Sequence, residues 1–256
     1  MSELIDNKAN RIRVLKDIIK HLHAGNPAEA VQRQMREIVK QTDASEIMAM
    51  EQELISEGMP VEEVRSMCDL HSKVTRDVLV QLPIRKAIAP GHPVDTFRRE
   101  NEALRGTIAA MTQTLAELQT TNEAPDAAAI LLRFRQSFNE LMDIDKHYQR
   151  KEHALFSCLE RHGITGPSKV MWAKDDDVRN LLKRLGECIH PNLADIEKWK
   201  MNLVEAANAA LKAVQEMIYK EENILLPMSL ETLSEDEWAE IWSVSPIDLC
   251  IKNAIH

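Results

Sequence analysis

One local pattern occurs twice in this chain and restricts its fold more than any other feature. His147-Tyr148-Gln149-Arg150-Lys151-Glu152 runs on into His153-Ala154-Leu155-Phe156, and seventy residues later Lys220-Glu221-Glu222 runs on into Asn223-Ile224-Leu225-Leu226. Each copy sets a glutamate beside an apolar run, in a segment rich in strong helix formers. In the first copy an imidazole stands about one and a half helical turns before the carboxylate. Two such helix ends in one chain predict a four-helix bundle with polar ligands inside.

Composition agrees with a helical reading. Only 7 of 256 residues are glycine and 4% are aromatic; β-branched alternation is nearly absent, so the expected class is all-α. A net charge of −9 argues against nucleic acid as partner, since phosphate binding needs a basic face. No apolar run approaches the ~18–20 residues that span a bilayer. The first residues lack the basic-then-apolar form of a signal peptide. Cys68, Cys158, Cys188 and Cys250 are far apart with no CxxC pair, which fits free thiols in a reducing cytoplasm.

Periodicity and breakers divide the chain. Apolar residues at three- and four-residue spacing predict helices over 3–24 and 27–41, with a third over 44–57 that ends at Gly58 and a fourth over 60–81. These form a small N-terminal domain, residues 1–85. Pro83, Pro90, Gly91 and Pro93 mark the boundary. Helices over 92–119, 126–162, 168–188 and 193–226 then make a bundle within residues 86–232, the last of them stopping at Pro227. A tail, 233–256, carries a capping pattern at Leu233–Trp238 and one final short helix. Short connections make sequential helices antiparallel neighbours. His92 and Glu100, His147 and Glu152, Asp175, and Glu222 then fall toward one end of the bundle.

Imidazole and carboxylate together suit iron, manganese or zinc. In ferritin-like bundles inward Glu and His bind two metals, with carboxylates bridging them. The five-residue spacing of His147 and Glu152 separates them by about 140° on an ideal helix. It suits a His on one metal and a Glu reaching a bridging position, and it equally suits half-exposed residues of a charged helix. Cys68 and His71, three apart, form either a redox-sensitive or metal-binding pair or a packed helix face.

Longer strings carry a resemblance. Gly91-His92-Pro93-Val94, Phe97-Arg98-Arg99-Glu100-Asn101, His147 to Glu152, Gly163-Ile164-Thr165-Gly166-Pro167, Lys169-Val170-Met171-Trp172 and Glu221-Glu222-Asn223-Ile224-Leu225 resemble a bacterial family. Its members join an uncharacterised helical domain to a hemerythrin-like HHE cation-binding domain, often followed by a PAS sensor domain. The N-terminal half resembles it too, in Glu3 to Lys8, Ala49 to Ile55, Glu57 to Val61 and Cys68-Asp69-Leu70-His71. The resemblance implies a four-helix bundle with a non-haem di-iron site, manganese or zinc being further candidates. It implies His147 as the second-helix histidine and Glu152 and Glu222 as paired carboxylates, with His92 or Glu100 contributing from the first helix. It also implies departures: Asp175 stands where a third-helix His is expected, Asp95 is a similar replacement in the first helix, and Met217 occupies the position equivalent to His147. Too few residues follow the bundle for a PAS domain of the usual length.

Three functions follow from this reading. The favoured one is a metal-binding protein responding to oxygen, nitric oxide or redox state, with O2 or NO as ligand and a separate signalling protein as partner. A second is a di-iron enzyme or an Fe–S cluster repair protein. A third is a metal-free helical interaction module with a degenerate site.

Overall fold

The computed structural model describes residues 10, 13–14, 16–17, 50, 52–60, 88–121, 124–190 and 195–244, without the side chains of 124–126 and 167. Every regular element among them is helical, so the all-α expectation holds. The helices expected over 27–41 and 60–81, and with them Cys68 and His71, lie outside the described residues. No helix among the described residues is long and apolar enough to cross a membrane.

Helix α1 spans Pro93–Thr120. His92 caps it by accepting a 3.1 Å hydrogen bond from the Val94 amide through Nδ1, and Pro93 fills a first-turn position where a missing N–H costs nothing. Phe97, Leu104, Ile108, Met111, Leu115 and Leu118 recur at helical spacing and are all buried. Burying each such side chain contributes about 1.5–3 kcal/mol. Helices α2 (Ala124–Leu141) and α3 (Ile144–Arg150) follow, separated by a turn at Met142 and Asp143. A π-helical turn, Lys151–Leu155, joins α3 to α4 (Phe156–Arg161). Gly163, at φ +78°, closes α4: its N–H reaches the Glu160 carbonyl and the Ile164 N–H reaches that of Leu159. Helix α5 is Gly166–Cys188 and α6 is Ile196–Lys220. A second π turn, Glu221–Leu225, leads into α7 (Leu226–Thr232), and α8 is Glu235–Ser243.

Pro227 does not stop the helix, contrary to the sequence reading. The π turn ends just before it, with the Leu226 N–H donating to the Glu221 carbonyl. Pro227 then sits in the first turn of a fresh α-helical run, where its lack of an N–H is tolerated. The segment expected as one helix over 126–162 is likewise interrupted, at Met142–Asp143 and again at the first π turn.

The chain divides into two compact units. One comprises Met1–Ala87, Phe156–Lys174 and Tyr219–Ser234; the other comprises Ile88–Leu155, Asp175–Ile218 and Glu235–His256.

In the second unit, hydrogen bonds fix one end of the bundle. Trp199 Nε1 donates to the Cys188 carbonyl at 2.8 Å, Lys200 Nζ to that of Thr121 at 3.1 Å, and Arg135 Nη2 to that of Ile189 at 3.3 Å. The end of α1, the middle of α2, the end of α5 and the start of α6 therefore meet. The start of α1, all of α3 and Asp175 of α5 belong to the opposite end, as antiparallel neighbours require.

In the first unit, the helical stretch 52–56 ends at Gly58 (φ +94°), and Gln52 holds the start of α5. Its Oε1 accepts from the amides of Thr165 (3.0 Å) and Gly166 (2.5 Å). A Cβ on Gly166 would lie 3.1 Å from Gln52 Cα and 3.2 Å from Ile55 Cδ1. Alanine ordinarily favours a helix over glycine by up to about 1 kcal/mol, but this contact is with backbone that cannot yield. Gly166→Ala is expected to destabilise by about 1–3 kcal/mol. A melting temperature equal to or above that of the unmodified protein would show that 52–56 does not pack there.

Candidate metal centre

The first π turn begins directly after α3, whose last turn is still α-helical: the Lys151 N–H reaches the carbonyls of His147 and Tyr148, four and three residues back. His147, Arg150, Lys151 and Glu152, four polar residues within six positions, are all buried at this junction.

Glu100 of α1 faces this group and is fully buried. Its Oε2 lies 2.8 Å from His147 Nδ1, and its Oε1 accepts a 2.6 Å bond from Arg150 Nη1. Burial alone would push the Glu100 carboxyl up, but His147 and Arg150 outweigh it and hold the group below its ordinary value. An ionised carboxylate only accepts, so His147 Nδ1 carries a proton and donates. The Phe97 ring meets the imidazole edge-on at 5.2 Å.

Asp175 and Lys151 form a second buried pair, 2.8 Å between Oδ1 and Nζ, with neither side chain touching solvent. The Lys151 ammonium lies 4.2 Å from the centroid of the Tyr148 ring. Glu152 forms a third pair with Arg179, which binds both its oxygens at 2.8 and 3.0 Å and also reaches Asp145 and Asp176. Partial burial acts to lower the Arg179 pKa, yet these carboxylates raise it well above its ordinary value.

Two more residues singled out from the sequence serve the start of α1. His92 caps α1 and packs on Trp238, with ring centroids 4.8 Å apart. Asp95 accepts from the Gly91 amide at 3.0 Å and pairs with Arg99 at 2.9 Å, so it serves the helix start. Met217 is buried in α6. Glu222 is half-buried in the second π turn, within the other unit. The structure thus brings Glu100 and His147 into contact and gives Glu152 and Asp175 different partners. The three cations that hold these carboxylates, Arg150, Lys151 and Arg179, were not singled out from the sequence.

This donor set does not fit a di-metal centre. Glu100, Asp175 and Glu152 each hold a guanidinium or ammonium of the chain itself, with which a metal ion would have to compete. No group of three His, Cys, Asp or Glu suited to a metal exists among the described residues. Asn101, buried beside Glu100 with no hydrogen-bond partner for its amide, adds one weak oxygen donor and completes no set. One feature does match metal chemistry. An imidazole whose Nδ1–H is held by a carboxylate presents Nε2 in a fixed orientation, the usual arrangement behind a metal-bound histidine.

Comparison with known proteins gives two family matches. Residues 15–81 match a family of unknown function, DUF438, and residues 92–229 match the hemerythrin HHE cation binding domain. No curated protein matches the chain. The second match spans more than half of the 256 residues and supports cation binding as the property of the domain. This chain belongs to the hemerythrin HHE cation-binding domain family.

Proposed function

We propose that this chain is a hemerythrin-fold module that folds and works with its interior charges balanced from within, acting through contacts with a protein partner rather than through metal chemistry. One observation carries the reading: the three carboxylates of the candidate centre are matched by three cations of the same chain. The bundle, residues 86–232, is the working part, with 1–85 and 233–256 flanking it. Free thiols at Cys158 and Cys188 support a reducing cytoplasm as its setting.

Metal content tests this. Protein from iron-supplemented cells, purified without chelator, is expected to hold less than about a tenth of an equivalent of any transition metal, with a melting temperature indifferent to EDTA. One or two equivalents of iron, and a fall in melting temperature on chelation, would overturn it.

The Nδ1–H of His147 held by Glu100 favours a second reading. In that reading the domain takes non-haem iron on His147 Nε2, with manganese or zinc as alternatives, and responds to O2 or NO. Its signature is stoichiometric iron together with an ultraviolet band that changes when either gas is added.

A further inference from the structure

We propose that Arg179 is a gate, a guanidinium that bars solvent from the charged interior of the bundle and admits it by swinging outward. This role goes beyond the partner contacts proposed above and does not depend on metal content. Glu100, His147, Lys151 and Asp175 have no side-chain exposure, and Tyr148 is 1% exposed. Arg179 of α5 stands where this interior meets solvent: its side chain is 28% exposed, that of its partner Glu152 only 3%. Contacts run inward from it in one chain. The guanidinium lies 5.6 Å from the Tyr148 ring, that ring 5.9 Å from the imidazole of His147, and His147 Nδ1 2.8 Å from Glu100. The hydrogen bonds of Arg179 divide between interior and surface. Nη1 and Nη2 grip both oxygens of the buried Glu152. Nε holds Asp145 and Nη1 also holds Asp176, whose side chains are 44% and 58% exposed. A guanidinium that leaves Glu152 therefore keeps carboxylates within reach on the solvent side. The closed position is favoured by a bidentate, charge-assisted bond made where the local dielectric is low. Opening parts the Glu152 carboxylate from its cation, and water must follow to solvate it.

Hydroxyl radicals, which are the size of water, test this on the full chain, with oxidation at each tyrosine read by peptide mass spectrometry. Tyr219, 9% exposed and in the other compact unit, is the internal reference. In the unmodified protein Tyr148 is expected to oxidise no faster than Tyr219. Arg179→Ala is expected to raise the Tyr148 rate about tenfold and to leave Tyr219 unchanged. Arg179→Lys, which keeps the charge but lacks the fork that grips both oxygens, is expected to fall between the two. An unchanged Tyr148 rate in Arg179→Ala overturns the gate. If both tyrosines react faster, the variant has loosened throughout, and Arg179→Ala/Glu152→Gln, which removes the stranded charge, decides. A rise confined to Tyr148 in that double variant upholds the gate, and any other result overturns it.

Discussion

Replacing Arg150 with methionine is expected to cost about 3–5 kcal/mol, the usual consequence of leaving a buried carboxylate without its cation. Arg150 Nη1 holds Glu100 Oε1 at 2.6 Å, with both side chains out of solvent. His147 remains as a partner for the other oxygen, so the protein should still fold, and urea unfolding will read the loss. Arg150→Met/Glu100→Gln should recover most of it, because the second change removes the charge that the first exposes. A loss below about 1 kcal/mol for the single variant would mean that Glu100 does not depend on Arg150.

The same pair sets a pH dependence. The folded Glu100 carboxyl lies below its unfolded value, about 4.3 for a glutamate. Its contribution is therefore fully present above that value and is lost as pH falls through the lower folded value. In Arg150→Met a lowering influence is gone while burial still pushes upward. Acid unfolding of the variant should begin at a higher pH than in the unmodified protein.

Tyr148→Ala is the other change expected to have a large effect, about 3–5 kcal/mol from core truncation alone. The ring is 1% exposed, and two cations approach it: Lys151 Nζ at 4.2 Å and Arg179 Cζ at 5.6 Å from its centroid. Tyr148→Leu separates the contributions. It keeps much of the volume but removes the aromatic face, each cation–π contact being worth about 0.5–2 kcal/mol. Equal losses for Leu and Ala would show that the ring's face matters more than its bulk.

Much of the fold was legible in the sequence because the signals are local. Pro93 and His92 announce the start of α1, Gly58 and Gly163 end their helices, and Glu235, Asp236 and Glu237 mark the first turn of α8. Pro227 misled because its effect depends on what precedes it. A π turn just upstream converts a helix stop into a helix start.

The candidate site was half legible. Glu100 and His147 were named, and the structure joins them. The cations were overlooked because Arg and Lys on a helix are ordinarily solvated. A signal existed: Lys151 lies four residues after His147, on the same side of a helix, with the apolar Ala154 and Leu155 just beyond. A basic residue set among inward positions calls for a buried anion, and Asp175, standing where the resemblance leads one to expect His, supplies it. The substitution reads first as a lost ligand. Beside Lys151 it is a gained counter-ion.

The two π turns carry one more consequence. Each holds one residue more than an α-helical turn. A 3.6-residue pattern carried straight through either turn is therefore one residue, about 100°, out of register beyond it. The passages between compact units fall at these places, just after Leu155 and just before Tyr219. Deleting a single residue from either turn is expected to leave an ordinary α-helical turn, which completes the same rotation in one residue fewer, with the side chains before and after it at the angles they already hold.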